Sequence, residues 1–222
     1  MVFLWVALYG LVYLVSQKIL LTIYATDWIT ALAMMIYVGL LLLWICRTGR
    51  RHEVNLNAVR RIHFWDCIYF VPLVLLPIFN VMTTDEYKIE LSAVVFMLSV
   101  SLAEELFFRG FMLRFFIKRG NLSAVLFTSV LFALFHCVNL AEYYDFTYIL
   151  MKVLCAFAVG ICYSAITIKF KSLIPCFIAH ALTNVTGIIN PGYIGWGEKS
   201  WGLLICIAAC AFYGIWLCRK IR

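Results

Sequence analysis

Charged residues are scarce in this sequence. Only 13% of its 222 residues are Asp, Glu, Lys or Arg, whereas 65% are hydrophobic. Soluble domains have about 25% charged and about 45–50% apolar residues, so this composition excludes a soluble globular protein, a disordered protein and a coiled coil. At about 20 residues per spanning helix, the chain accommodates seven or eight spans and no separate soluble domain. The composition predicts one all-α, polytopic integral membrane domain over residues 1–222.

Several common motifs are also missing. None of the nine cysteines forms a C-x-x-C pair, and they lie inside or at the ends of apolar runs, so we expect small packing residues rather than disulfides. The H-E-x-x-H pattern of zinc peptidases is absent. The first apolar run lacks a positive n-region and is too long for a signal peptide, so we expect it to be the first span. No internal repeat is found.

The net charge of +7 comes from basic residues near the ends of apolar runs. This position is explained by membrane topology, and the sequence predicts no nucleic-acid partner. With eight spans, the basic regions 47–63, 114–119, 169–171 and 219–222 all lie on one side. The positive-inside rule then predicts a multi-pass protein of the cell membrane with both termini in the cytoplasm.

Apolar segments long enough to cross a membrane occur eight times. They lie near residues 2–24, 28–46, 64–83, 89–116, 122–140, 146–168, 173–190 and 201–218. The first is interrupted by Ser16, Gln17 and Lys18. The fourth is too long for a straight span, so we expect it to tilt or to lay its last turns along the interface.

Within the fourth segment, the run 101–110 carries three ionisable residues, Glu104, Glu105 and Arg109. Each costs at least about 2.5–3.5 kcal/mol at membrane depth, so their presence needs a reason. Glu105 and Arg109 are spaced i,i+4 and can pair on one helix face. Glu104 points about 100° away and has no partner in its own helix. It is therefore the main candidate for a functional carboxylate, although a purely structural Glu–Arg cluster is the alternative.

Two further spans carry the histidines that lie within apolar segments. The fifth contains Phe132 and His136, and the seventh contains His180 and Asn184, each pair spaced i,i+4. Either motif alone is typical of polar groups that bond a neighbouring helix. Together with Glu104 they occur at compatible depths, about 12–20 Å from the cytoplasmic end at about 1.5 Å per residue. We therefore expect a central polar cavity within the membrane.

This set suits acyl hydrolysis. A carboxylate and an imidazole can deprotonate water, and a second imidazole and an amide can stabilise an oxyanion. Zinc bound by two histidines and a glutamate is the alternative chemistry, but the adjacent Arg109 opposes a metal ion, so we expect no cofactor. Ser101 has no base on its own helix and is expected to be a packing residue.

The three motifs resemble the signature of the CPBP family, which includes CAAX prenyl proteases and bacteriocin-processing and immunity membrane proteins (also called Abi). They are Glu104-Glu105-x-x-x-Arg109, Phe132-x-x-x-His136 and His180-x-x-x-Asn184. The resemblance covers about residues 90–190, and Phe108-Arg109-Gly110 is similar to bacterial members.

The resemblance implies an eight-helix, metal-free glutamate-type intramembrane endopeptidase. Glu104 and His136 would activate water, His180 and Asn184 would form the oxyanion hole, and Glu105 and Arg109 would support the site. The implied partners are membrane lipids and a peptide or membrane-protein substrate, such as a bacteriocin or signal-peptide precursor or a CAAX-like protein. A partner membrane protein is left open. The alternatives are a non-catalytic scaffold or self-immunity protein of the same fold, and a transporter or channel.

Overall fold

The computed structural model describes residues 4–5, 7–12, 28–59, 71, 74, 77–78, 90–137, 146–189 and 200–220. Within them the chain is almost entirely helical, and no strand occurs in these described residues. We number the helices α1 (Trp28–Arg47), α2 (Leu91–Ile117), α3 (Asn121–Phe135), α4 (Phe146–Phe170), α5 (Ile174–Ile189) and α6 (Ser200–Lys220). Residues 4–5 and 7–12 are also helical and precede α1.

The helices are apolar on their outer as well as their inner faces. Helix α1, for example, buries Met34 and Leu41 but exposes Ile36 and Leu40. A helix that is hydrophobic all round is typical of a membrane span. In the described part of the chain, three helices are long and apolar enough to cross a membrane, namely α1, α2 and Ile149–Phe170 within α4. These features confirm the predicted fold class, an all-α polytopic membrane protein.

Six of the predicted segments coincide with α1 to α6 within a few residues, except at the end of the fifth. The predicted segment 122–140 corresponds to α3, which ends at Phe135, and residues 136–137 form a tighter turn. The segment predicted near 64–83 is described only at residues 71, 74 and 77–78, all helical. The segment predicted near 2–24 lies largely outside the described residues.

Helix α2 is the main departure from a regular span. It is α-helical over Leu91–Glu105, π-helical over Leu106–Met112, and α-helical again over Leu113–Ile117. A π-helix bonds each N–H to the carbonyl five residues earlier, which widens the turn, and such turns are frequent at functional sites. The sequence analysis expected this long segment to tilt or to lay its last turns along the interface. It did not predict the π-helical turns.

The helices pack as two groups joined through α2. Helix α2 packs against α1 and α5, and α4 packs against α3 and α6. Glycines allow the closest approaches. A Cβ on Gly160 would lie 3.0 Å from the Cβ of Ser129, and one on Gly214 would lie 2.6 Å from a methyl carbon of Ile161. Small residues at helix crossings are typical of membrane bundles, where close van der Waals contact drives association.

Residues 53–57, after α1, connect α2 to the start of α5. The Asn55 side chain donates to the backbone oxygen of Arg109 at 3.0 Å, and the backbone carbonyl of Asn55 accepts from the Leu173 N–H at 2.9 Å. Asn55 has φ of 55°, a left-handed conformation in which asparagine is enriched. A Cβ on Gly110 would lie 3.0 Å from the Cβ of Val54, so the absence of a side chain there permits this approach. The loop thereby connects α2 and α5, two of the three helices that carry the polar motifs.

Candidate functional site

Glu105 is the centre of a buried polar cluster between α2 and α5. Its Oε1 accepts hydrogen bonds from Arg109 Nη1 and from His180 Nδ1, each at 2.8 Å. The Glu105 and Arg109 side chains are 0% exposed, and that of His180 is 8% exposed. Because the carboxylate can only accept, Nδ1 of His180 carries the proton in this contact. The Glu105–Arg109 pair therefore also fixes the orientation of the His180 ring.

Glu104 points away from this pair and finds its partners on other segments. Its Oε1 accepts a hydrogen bond from the hydroxyl of Tyr9 at 3.0 Å. Its Oε2 lies 3.7 Å from Nε2 of His180. That distance is too long for a direct hydrogen bond but lies within the range of an ion pair. The two carboxylates thus approach opposite nitrogens of the same imidazole.

The guanidinium of Arg109 lies between two aromatic rings. Its Cζ is 4.2 Å from the ring centroid of Phe132 on α3 and 5.2 Å from that of Tyr163 on α4. Such contacts are attractive, and more strongly so without water. Among the described residues, no hydrogen-bond partner is found for Nε and Nη2 of Arg109 or for Oε2 of Glu105. Aromatic faces and one carboxylate oxygen provide the contacts of this buried cation.

The winding of α2 determines where Arg109 lies. Glu104 and Glu105 end its first α-helical stretch, and Arg109 lies in the π-helical turns that follow. These turns have their own support, since Asn55 donates to the carbonyl of Arg109 and Val54 packs on Gly110. Residues 53–57 therefore stabilise the backbone that carries the buried cation.

His136 lies at the C-terminal end of α3. Its Nδ1 is 2.8 Å from the carbonyl oxygen of Phe132, which makes Nδ1 the donor and leaves Nε2 as the nitrogen able to accept a proton. The Phe132 ring is 4.7 Å from the ring of His136 and 5.8 Å from that of His180, so the two imidazoles flank one phenyl group.

Asn184 lies one turn after His180 on α5. Its Nδ2 donates to Oγ of Ser101 at 2.9 Å, and the Ser101 hydroxyl donates to the carbonyl of Met97 at 2.7 Å. Ser101 was expected to be a packing residue, but it also fixes the amide of Asn184. The hydroxyl lies one turn before Glu105 on α2, so α2 and α5 are linked at two successive turns.

The structure brings together Glu104, Glu105, Arg109 and His180 by direct polar contacts or close approach. His136 joins them through the shared Phe132 ring, and Asn184 joins through Ser101. The sequence analysis missed Tyr9, and no local motif marks it. It also missed the ring of Tyr163 against Arg109. The bond between His180 and Glu105 follows from no spacing rule, because it joins two helices.

Comparison with known proteins adds one finding. Residues 88–186 match the family model described as "Type II CAAX prenyl endopeptidase Rce1-like". The matched region contains all six predicted site residues. The comparisons with curated proteins and with solved structures return no match.

Proposed function

Residues 88–186 belong to the CPBP (CAAX protease) family, and from this premise we propose that the protein is a glutamate-type intramembrane endopeptidase. The observation that carries the proposal is the placement of Glu104 Oε2 3.7 Å from Nε2 of His180. A water held there would touch the base and lie beside a donor for the oxyanion. Peptide hydrolysis needs these two functions next to each other.

The reaction can be followed atom by atom. Glu104, together with Nε2 of His136, takes a proton from the water while the water oxygen bonds to the carbonyl carbon. The carbonyl oxygen becomes an oxyanion, which accepts hydrogen bonds from His180 and Asn184. The tetrahedral intermediate then collapses, the C–N bond breaks, and the proton passes to the leaving amine. Each product receives one part of the water molecule.

The oxyanion role that we propose for His180 needs a proton on both ring nitrogens. Its Nδ1 donates to Glu105, so a proton on Nε2 makes the ring an imidazolium. Two carboxylates flank that ring, and the Arg109 guanidinium pairs with Glu105. In this scheme Glu105 and Arg109 support the site without touching the substrate.

The proposed mechanism uses no metal ion. The Glu105 oxygen that faces His180 already accepts two hydrogen bonds, and Arg109 places a positive charge beside it. In the described part of the chain, no three His, Cys, Asp or Glu side chains are grouped as metal ligands. Zinc would need such a set. We therefore expect cleavage to persist in the presence of EDTA and 1,10-phenanthroline, and full loss with recovery on adding zinc would contradict this.

The proposed substrates are membrane-associated proteins or peptides. They include proteins with a CAAX-like C-terminus and precursors of bacteriocins or signal peptides. The charge of the loops supports a multi-pass protein with both termini in the cytoplasm. A C-terminal tag that external protease removes from intact cells would contradict this orientation.

The direct test is cleavage by the purified protein in detergent. The probes are a farnesylated CAAX peptide and the same peptide without the lipid, with products identified by mass spectrometry. We expect Glu104→Ala and His136→Ala each to lower the rate about 100-fold or more, since removing a general base costs about 10²–10⁴-fold. Glu90→Ala, an exposed acid at the start of the same helix, is the matched control and should retain full activity.

Normal cleavage by the Glu104→Ala or the His136→Ala protein would refute the mechanism. If neither probe is cleaved, comparative peptidomics of cells that express wild-type or Glu104→Ala protein provides an unbiased search for substrates. Identical peptidomes would favour a non-catalytic scaffold or immunity protein of the same fold.

A further inference from the structure

We infer that Tyr9 is a positioning residue for Glu104, an inference that deepens the proposed function and rests on it. Tyr9 lies outside the matched region and 95 residues before Glu104, yet its hydroxyl bonds the carboxylate that we propose as the base. It belongs to no motif in the sequence. Its role follows from the contact alone.

The position of this hydroxyl is fixed by packing. Tyr9 is 3% exposed, and its ring stacks on Phe135 with centroids 5.6 Å apart and an interplanar angle of 28°. The ring of Tyr37 on α1 lies 5.9 Å away on another side. Phe135 directly precedes His136, so one tyrosine contacts Glu104 and the end of the helix that carries the second proposed base. A rigid aromatic ring of this kind holds its hydroxyl with little freedom.

The hydrogen bond distinguishes the two oxygens of Glu104. Oε1 accepts from Tyr9, and Oε2 is directed towards Nε2 of His180. Without the Tyr9 hydroxyl, the carboxylate would lose this donor, and its Oε2, now 3.7 Å from Nε2 of His180, would need to move only about 1 Å to form a direct hydrogen bond. A direct Glu104–His180 ion pair would engage the proposed base and the proposed oxyanion donor together. The hydroxyl therefore keeps the two groups apart and available to water and substrate.

Tyr9→Phe tests this role, and Tyr37→Phe is its matched control. Both variants lose one buried or partly buried hydroxyl from the same cluster, but the Tyr37 hydroxyl donates to the backbone oxygen of Trp5 at 2.8 Å. With the farnesylated CAAX peptide, we expect Tyr9→Phe to lower kcat about 10- to 100-fold, the usual effect of a hydrogen bond to a charged group. KM should stay within about twofold, because only transition-state stabilisation is lost.

Tyr37→Phe should lower kcat by no more than about threefold. Tyr9→Phe and Tyr37→Phe should melt at similar temperatures, because each loses one hydroxyl from the same cluster. A Tyr9→Phe protein with wild-type kcat, or with a raised KM alone, would overturn the inference. Equal loss of kcat in the two variants would do the same, since a structural role of the cluster would then explain both.

A measurement without substrate separates this inference from the proposed function. Thermal unfolding of Tyr9→Phe, Glu104→Gln and the double variant gives the coupling between the two side chains. We expect a clear coupling for this pair and none for Tyr37→Phe with Glu104→Gln. Absence of coupling would refute the Tyr9 contact even if the wild-type protein cleaves. Clear coupling in a protein that cleaves nothing would instead refute the proposed function.

Discussion

Substitution of Arg109 by methionine removes a buried cation while keeping a long side chain in the same space. Arg109 is 0% exposed and donates to Glu105 at 2.8 Å. The rings of Phe132 and Tyr163 lie against its guanidinium. Methionine can pack between these rings, so the perturbation is mainly electrostatic. Glu105 would keep only the donor from His180.

The expected loss of stability is large. Removing one partner of a buried ion pair leaves an uncompensated charge and costs about 3–5 kcal/mol. The loss of the guanidinium contacts with the rings of Phe132 and Tyr163 is included in this free energy and is not counted again. For a chain of this size, about 1 kcal/mol corresponds to about 2–4 °C in melting temperature, so we expect a decrease of roughly 6–20 °C.

Thermal unfolding of the protein purified in detergent, monitored by size-exclusion chromatography, measures this shift in melting temperature. Arg119→Met is the control, because Arg119 is exposed and lies 5.8 and 5.7 Å from the rings of Phe115 and Phe116. It should cost no more than about 0.5–1 kcal/mol. Adding Glu105→Gln to Arg109→Met should recover at least half of the loss, since the unpaired charge is then gone. A melting temperature for Arg109→Met within about 2 °C of wild type would refute the assigned role.

Two further variants test the packing and the site. Gly214→Ala should destabilise the protein, because the new Cβ would lie 2.8 Å from a backbone nitrogen of α4. Gly39→Ala is the control, because a Cβ at Gly39 has open space, and it should be neutral or raise the stability by about 0.5–1 kcal/mol in thermal unfolding. Equal melting temperatures for the two variants would contradict the close helix contact at Gly214. Ser101→Ala should lower kcat about three- to tenfold because Asn184 loses the acceptor of its side-chain amide. Ser99→Ala, which removes only a bond to a backbone carbonyl, should leave the rate unchanged, and identical rates for the two serine variants would argue against the link to Asn184.

Much of the helical architecture could be predicted because a membrane leaves few options. Backbone groups without water must bond within a helix, so apolar length alone identifies a span. This rule located α1, α2 and α4 to α6 within a few residues. It missed the early end of α3 at Phe135, since the apolar run continues beyond the helix. It also missed the π-helical turns in α2, because hydropathy does not distinguish them from α-helical turns.

The polar residues of the site were identifiable because charge at membrane depth is costly. Glu104, Glu105 and Arg109 could therefore be selected without any knowledge of contacts, and the i,i+4 rule predicted the observed pairing of Glu105 with Arg109. Contacts between helices were not accessible in this way. The bond of His180 to Glu105 and that of Tyr9 to Glu104 span 75 and 95 residues. Tyrosine is also common at membrane interfaces, so Tyr9 gave no signal of its own.

The π-helical stretch makes the number of residues in α2 a structural constraint. Deleting one residue between Leu106 and Met112 would allow ordinary α-helical bonding through this region, at no cost in hydropathy. A π-helical turn takes about one residue more than an α-helical turn, so the end of the helix would keep nearly its present orientation, whereas residues within the stretch would shift by one position relative to Glu105. A scan of single-residue deletions along α2 should reveal this as lost abundance wherever Glu105 and Gly110 change register. The number of residues between the motif positions of α2 therefore matters as well as their identity. A deletion variant that retains every motif residue would still lose the arrangement that those residues form.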